Sequence, residues 1–228
     1  SIAHEINNPI AVMQGNLDLM RDTLGPNAQA VGGELALLDQ QIERMRIIVT
    51  QLLQYARPTE YAGYVDALDL NRTVSDCLVL VGHLLASTQI AVKREPHATH
   101  RVGINRQELQ QVIINLMINA IQAMPDGGEL VLRTQDTDGG ALLQVIDTGP
   151  GLSPAAQERL FRPFFTTKND GNGLGLWISQ GLVERYGGQV TAGNRPDGAR
   201  GAAFTVSLFT EPQAPVATPT RDGRPGAR

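Results

Sequence analysis

Residues 106–124 read RQELQQVIINLMINAIQAM, and Pro125-Asp126-Gly127-Gly128 closes them. Val112, Ile113, Leu116, Ile118 and Ile121 give this stretch a strongly apolar helical face, while the Pro-Asp-Gly-Gly run cannot continue a helix. The spacing predicts a helix over Arg106–Met124. Upstream, Asn71–Leu85 reads as a helix, and Gln89–Arg94 and His100–Ile104 read as short strands. Downstream, Glu129–Gln135 and Ala141–Asp147 read as a strand hairpin across residues 136–140. Leu174–Tyr186 reads as a helix ended by Gly187-Gly188, followed by strands at Gln189–Gly193 and Ala202–Phe209. Helices mixed with antiparallel strands make the fold class α+β.

The whole chain has 228 residues, enough for one or two domains with a sizeable core. Hydrophobic residues make up 42% and charged residues 18%, a globular composition rather than a disordered one. Nineteen basic against 23 acidic residues leave a net charge of −4. That is not the basic surplus of a nucleic-acid binder, and no nucleic-acid partner is expected. A single cysteine, Cys77, excludes an intramolecular disulfide and fits a reducing, cytoplasmic setting. No apolar run reaches ~18 residues, so no membrane contact is expected within this chain. Ser1 opens directly into helical pattern with no start methionine, which points to a region upstream of it; the expectation leaves membrane anchoring of the parent protein open.

Ile6, Ile10, Met13, Leu17, Met20 and Leu24 recur at alternating steps of four and three, a heptad seam. Gly25-Pro26-Asn27 breaks it. Leu35, Leu38, Ile42, Met45, Val49, Leu52 and Ala56 resume it, and Arg57-Pro58 stops it. Two seamed helices make an N-terminal αα-hairpin. One hairpin buries little alone, so pairing with a second copy into a four-helix bundle, a homodimer, covers both seams. Packing against the rest of its own chain is the alternative. The expected organisation is therefore a hairpin over 1–57, a linker over 58–68, an α+β domain over 69–209, and a proline-containing disordered tail or linker over 210–228.

Four clusters in the α+β domain carry chemistry. Asn115 and Asn119 lie four apart and share a helix face. An asparagine on a largely buried face needs partners, which a cap, an inter-strand bond or a ligand could supply. An amide oxygen is a hard, neutral ligand suited to Mg²⁺ that also carries nucleotide phosphates. Asp147-Thr148-Gly149-Pro150-Gly151 follows a strand directly. A carboxylate there can accept from an exocyclic amine such as that of adenine, and Gly149 and Gly151 let the backbone approach a flat ring; a plain turn would look the same. Gly171-Asn172-Gly173-Leu174-Gly175-Leu176 opens a helix, and free N–H groups at a helix start can cradle phosphates. It matches neither the dinucleotide fingerprint nor a P-loop. Phe161-Arg162-Pro163-Phe164-Phe165-Thr166-Thr167-Lys168 places apolar anchors before hydroxyls and a cation. That suits a lid over phosphates, or an ordinary loop docked by its aromatic residues.

In this order and spacing the four clusters resemble the ATP-binding domain of the GHKL superfamily, in its histidine-kinase branch. Asn115 and Asn119 match the N box, Asp147–Gly151 the G1 box, Phe161–Lys168 the F box and Gly171–Gly175 the G2 box. At the other end of the chain, His4-Glu5-Ile6-Asn7-Asn8-Pro9 opens the heptad pattern. His4 lies one step past a seam position and so flanks the bundle. Glu5 adjoins it and can polarise the imidazole or take its proton. Pro9 loosens the helix beside it. This stretch resembles the H box of sensor histidine kinases.

The resemblance implies a phosphoacceptor and dimerisation hairpin followed by a Bergerat-type α/β sandwich. It implies an enzyme that moves the γ-phosphoryl group of ATP to His4 and then to an Asp of a response regulator receiver domain. It implies that Asn119 holds Mg²⁺ with Asn115 nearby, and that Asp147 reads adenine with Gly149 and Gly151 against the ring. Gly171, Gly173, Leu174, Gly175 and Leu176 would cradle the phosphates, and Thr167 and Lys168 would complete the cage. Glu5 and Asn8 match a pattern that positions water for dephosphorylating the regulator. In ATP-hydrolysing GHKL relatives a Glu occupies the place of Asn115, and an amide cannot act as that base.

Two positions depart from the family. Gln122 stands where many histidine kinases carry a basic residue, and Gly201-Ala202-Ala203-Phe204 lacks the usual hydroxyl. Two other readings are an ATPase, told by fast turnover without a phosphoprotein, and a nucleotide-binding scaffold, told by binding without labelling.

Overall fold

The computed structural model describes residues 2–55, 65–168 and 173–213; the side chains of 2–7, 44, 46–48 and 50–55 lie outside that description. The chain divides into two compact units, one of residues 1–63 and 153–181, the other of 64–152 and 182–228.

The first unit opens with a helical hairpin, α1 (Ile2–Leu24) and α2 (Gly32–Tyr55). Between them the chain forms a 3-10 helix, Gly25–Val31, where the sequence suggested only a break. Gly25 takes φ +51°, and Pro26 sits at a position whose missing N–H costs nothing, so the turn stays helical but tighter. Ile10, Leu17, Leu35 and Ile42 form the hairpin core, with Leu24, Ala28 and Val49 packed against it. The remaining seam residues behave differently. Leu17 is 3% exposed and Met20, one step on, is 51% exposed; Met13, Leu38 and Met45 are exposed with it. Each helix has one neighbour within the hairpin, so alternate seam positions face outward. Across the hairpin Arg21 donates to Asp39, which also accepts from Gln14 Nε2 at 3.0 Å. The same unit contains α6 (Pro154–Gln157), started by Ser153 Oγ accepting from Ala156 N at 3.2 Å, and most of α7 (Gly175–Glu184).

The second unit is built on a five-stranded sheet in the order β2-β4-β5-β7-β6. Its strands are β2 (Ile90–Pro96), β4 (Gly128–Thr137), β5 (Gly140–Ile146), β6 (Gln189–Asn194) and β7 (Ala202–Phe209). The β2–β4 pair is parallel and the rest are antiparallel. The predicted β4–β5 hairpin is present with a tighter turn, because Gly139 at φ +86° lets the strands run on to Thr137 and Gly140. A two-stranded sheet pairs β1 (Asp66–Asp69) with β3 (Arg101–Ile104). β1 lies partly in the stretch read as linker; four residues with Asp at both ends carry no strand signal.

The helix read first from the sequence is α5 (Arg106–Gln122). Asn105 Oδ1 caps it by accepting from the N–H groups of Gln107 (3.0 Å) and Glu108 (3.2 Å). Leu109, Val112, Ile113, Leu116 and Met117 are fully buried, each such burial contributing ~2 kcal/mol. The helix packs on β5 and on α3 (Leu70–Leu80), which Asp69 caps through Arg72 N at 3.0 Å. The single helix expected over Asn71–Leu85 is two. Val81, buried at φ −90° and ψ 1°, turns the chain, and α4 (Gly82–Ala86) follows. Gly82 at the junction has little helix propensity to oppose the turn. Cys77 is buried, and burial pushes its thiol up to about 12. After β7 the backbone remains attached. Thr210 N–H donates to Gly139 O at 2.9 Å and Gln213 N–H to Tyr186 O at 3.2 Å, in residues read as the start of a disordered tail.

Candidate nucleotide site

β5 delivers Asp147 to its C-terminal end, where the residue is 2% exposed. Oδ1 of its carboxylate accepts the N–H of Gly149 at 2.9 Å and that of Ala202 at 3.1 Å. Its own N–H donates to Ala202 O at 2.9 Å. One carboxylate oxygen therefore holds the Asp-Thr-Gly turn closed and ties it to β7. The hydroxyl expected to be lost at Gly201–Phe204 is indeed absent, but the backbone there supplies a donor instead.

The turn rests on the end of α5. A Cβ on Gly149 would stand 2.7 Å from Ala123 O and 3.0 Å from Asp147 Oδ1, so only glycine fits. Ala123 N–H donates to Asn119 O at 3.1 Å. Thr148 Oγ1 accepts from Glu129 N at 2.9 Å and donates toward Met124 Sδ at 3.4 Å. Asn119 and the Asp147 turn thus belong to one continuous structure, joined through Ala123 and Met124. Asn115 and Asn119 are half-buried, less enclosed than their apolar neighbours. Gly151, at φ +78°, is bracketed by Asn194. The Asn194 side chain accepts from Leu152 N at 2.7 Å and donates to Leu152 O at 3.1 Å.

The other two clusters fall in the first unit. Gly173 has φ +67°, and a Cβ there would stand 2.5 Å from the carbonyl carbon of Phe164 and 2.6 Å from the nitrogen of Phe165. The glycine loop and the Phe161–Lys168 segment therefore meet backbone to backbone. Arg159 lies 4.9 Å over the Phe165 ring. Phe164 is exposed at φ +62°, so it is not the apolar anchor the sequence suggested; Leu160 is the buried residue of this stretch. Lys168 is half-buried, with its N–H on Thr166 Oγ1 at 3.1 Å, and Thr167 is exposed. Leu174 is buried and accepts from Ile178 N at 2.9 Å; Gly175 opens α7, and Leu176 is half-buried.

Gly171 lies outside the described residues. His4 and Glu5 lie on α1, their side chains outside the description; Asn8 is exposed one turn on, beside Pro9 within the helix. Ala123, Met124, Asn194, Gly201 and Ala202 were not flagged from the sequence. Of these Gly201 and Ala202 left a trace, as part of a motif judged incomplete. Among the described residues no three His, Cys, Asp or Glu side chains gather as a metal cluster, and no helix is long and apolar enough to cross a membrane.

The profile of the histidine kinase-, DNA gyrase B- and HSP90-like ATPases matches residues 104–212. That of the His kinase A phospho-acceptor domain matches residues 1–60. The C4-dicarboxylate transport sensor protein DctB of Rhizobium meliloti (strain 1021) is 34% identical over 212 residues, covering 91% of this chain and 33% of DctB. The chain spans about a third of the length of such relatives. The solved catalytic domain of the histidine kinase ThkA is 30% identical, with a TM-score of 0.58, over 64% of this chain and 95% of that one. ThkA in complex with the response regulator protein TrrA is 26% identical, with a TM-score of 0.65, over 92% of this chain and 60% of that one. With a phospho-acceptor hairpin and a GHKL-type sheet domain in one polypeptide, the chain belongs to the sensor histidine kinases.

Proposed function

We propose that this chain is an ATP-dependent protein-histidine kinase that phosphorylates its own His4 and passes the phosphoryl group to an Asp of a response regulator. The observation that carries this reading is the Asp147 turn, closed by its own carboxylate and seated on the end of the helix that bears Asn119. A carboxylate at the mouth of such a turn selects adenine by accepting its amine. Gly149 and Gly151 keep the backbone bare beside the ring. Gly171, Gly173, Leu174, Gly175 and Leu176 supply N–H groups to the phosphates at the start of α7. Thr167 and Lys168 donate to the same phosphates, Lys168 as a point charge in place of the basic residue that Gln122 replaces.

The donor set fits Mg²⁺ in one mode. Asn119 offers one neutral oxygen and Asn115 stands one turn away, so the remaining ligands come from phosphates and water. When bound, Mg²⁺ neutralises charge on the phosphates. In the transfer the unprotonated imidazole nitrogen of His4 forms a bond to the γ-phosphorus, the bond to the β–γ bridging oxygen breaks, and ADP leaves. Glu5 orients the other ring nitrogen and takes its proton. Such chemistry asks the protein chiefly for positioning. Asn115 in the place of a catalytic Glu disfavours activation of water, which supports transfer over hydrolysis.

Asn119→Asp puts a negative charge against the phosphates, and phosphoprotein labelling from γ-labelled ATP is expected to vanish. Normal labelling in that variant contradicts the Mg²⁺ assignment. Asn8, exposed one turn beyond His4, positions water for regulator dephosphorylation in this reading. Asn8→Ala is then expected to label at His4 normally yet dephosphorylate a phosphorylated regulator at least tenfold more slowly, on the order of one lost catalytic contact. An unchanged dephosphorylation rate removes this second activity.

The outward Met13, Met20, Leu38 and Met45 support a homodimer in which a second hairpin covers them. The reading places the domain in the cytoplasm, with the buried reduced Cys77 consistent with that setting.

A further inference from the structure

The Asp147–Gly151 turn is tied to the sheet at both ends. At its start, the N–H and Oδ1 of Asp147 both bond the backbone of Ala202 in β7. At its finish, the Asn194 side chain grips Leu152 twice. Oδ1 accepts the Leu152 N–H at 2.7 Å, and Nδ2 donates to the Leu152 carbonyl at 3.1 Å. A primary amide carries an acceptor and a donor side by side, so it can bond a backbone as a neighbouring strand would. Asn194 ends β6 and is the register partner of Ala202. Ala202 therefore stands between the two anchors of the turn, Asp147 on one side and Asn194 on the other. All of these residues belong to the second unit.

We propose that Asn194 is a positioning residue for adenine: it fixes the far half of the Asp147 turn, so that the glycine backbone meets the ring already ordered. This rests on the adenine role proposed above for Asp147, Gly149 and Gly151. The near half of the turn is closed by Asp147 itself, through the Gly149 N–H. The far half runs through Gly151, at φ +78°, and a Cβ there would stand 2.8 Å from Asn194 Oδ1 and 3.2 Å from Gly201 O. The amide thus packs against Gly151 while it bonds the next residue. Glycine has the most backbone freedom to lose, so without the far anchor a docking ring would have to order Gly151 at the moment of binding. Asn194 is exposed, and water competes for its bonds, so they add little to global stability. Their effect falls on the turn they hold.

The test uses the full 228-residue chain. Adenosine is titrated by NMR, so that phosphates and Mg²⁺ play no part, and exchange of the Leu152 amide proton is followed on the same samples. In Asn194→Ala the Leu152 amide is expected to exchange about tenfold faster and adenosine to bind about fivefold more weakly. The urea unfolding midpoint is expected to stay close to wild type, as for other exposed positions. Asn194→Asp keeps an oxygen for the Leu152 N–H and loses the donor to its carbonyl. It is expected to lie between, and it carries the test if Asn194→Ala does not fold. Gln189→Ala, at the other end of β6 and also exposed, is the control and is expected to change neither quantity. Wild-type adenosine affinity in folded Asn194→Ala would mean that the clamp positions nothing for the ring. Wild-type exchange of the Leu152 amide would mean that the clamp does not hold, and an equal loss of affinity in Gln189→Ala would mean that any change in β6 weakens the site. Each of these overturns the proposal. Wild-type protein that binds no adenosine overturns the adenine site itself, and its positioning residue with it.

Discussion

Asp147→Asn is expected to bind no measurable ATP while unfolding close to wild type, and Asp147→Ala to lose both binding and stability. In the proposed site the carboxylate both closes the turn and accepts the adenine amine. Oδ1 accepts the buried N–H groups of Gly149 and Ala202. An asparagine keeps an oxygen for that task but presents an N–H₂ where the adenine amine must be accepted, so donor faces donor. Alanine removes both functions. Two buried N–H groups then lose their partner, at ~1–3 kcal/mol each, for a total of about 2–6 kcal/mol. Thermal unfolding and displacement of a fluorescent ATP analogue separate the two effects. Wild-type ATP affinity in Asp147→Asn would remove Asp147 from the adenine site.

Gly201→Ala is expected to be strongly destabilising. Gly201 has φ +134°, a region L side chains rarely enter. A Cβ there would overlap the Asp147 carbonyl oxygen and stand 2.8 Å from Arg195 Cδ. Asp147 follows β5 directly and its N–H is bonded to Ala202 O, so its carbonyl cannot yield without disturbing the junction between β5 and β7. Backbone strain and overpacking together predict a loss of about 3 kcal/mol or more. Gly193, in β6, is the control: nothing lies within 4 Å of a Cβ built there. Gly193→Ala is expected to change stability by about 0.5 kcal/mol or less. Urea unfolding midpoints of the two variants decide the matter. Equal midpoints would show that Gly201 does not back the Asp147 turn.

α5 was legible in the sequence because its apolar face repeats at helical period over 17 residues and a Pro-Asp-Gly-Gly run ends it. The β4–β5 hairpin was legible for a similar reason. Breaks inside elements were not. Val79-Leu80-Val81 continues an apolar helical pattern, and only burial of Val81 decides that the chain turns there. β1 exists because β3 pairs with it, and four residues cannot announce a partner more than 30 positions away. The heptad seam was visible as a pattern, but which half of it one hairpin covers depends on three-dimensional packing. In the site, residue types with intrinsic chemistry stood out, namely Asn119, Asp147 and the glycines. Their supports did not: Ala202 and Ala123 act through backbone groups that any residue carries. Leu152 and Asn194 meet across 42 positions, and neither looks unusual where it stands.

The central claim is transfer of a phosphoryl group to an imidazole, and the most direct measurement is incubation with γ-labelled ATP and Mg²⁺, wild type beside His4→Ala. A phosphoimidazole is labile in acid and stable in alkali, unlike a phosphoester or an acyl phosphate. The account predicts label on wild type with that stability profile, and none on His4→Ala. Label that survives acid, or that persists in His4→Ala, would contradict it.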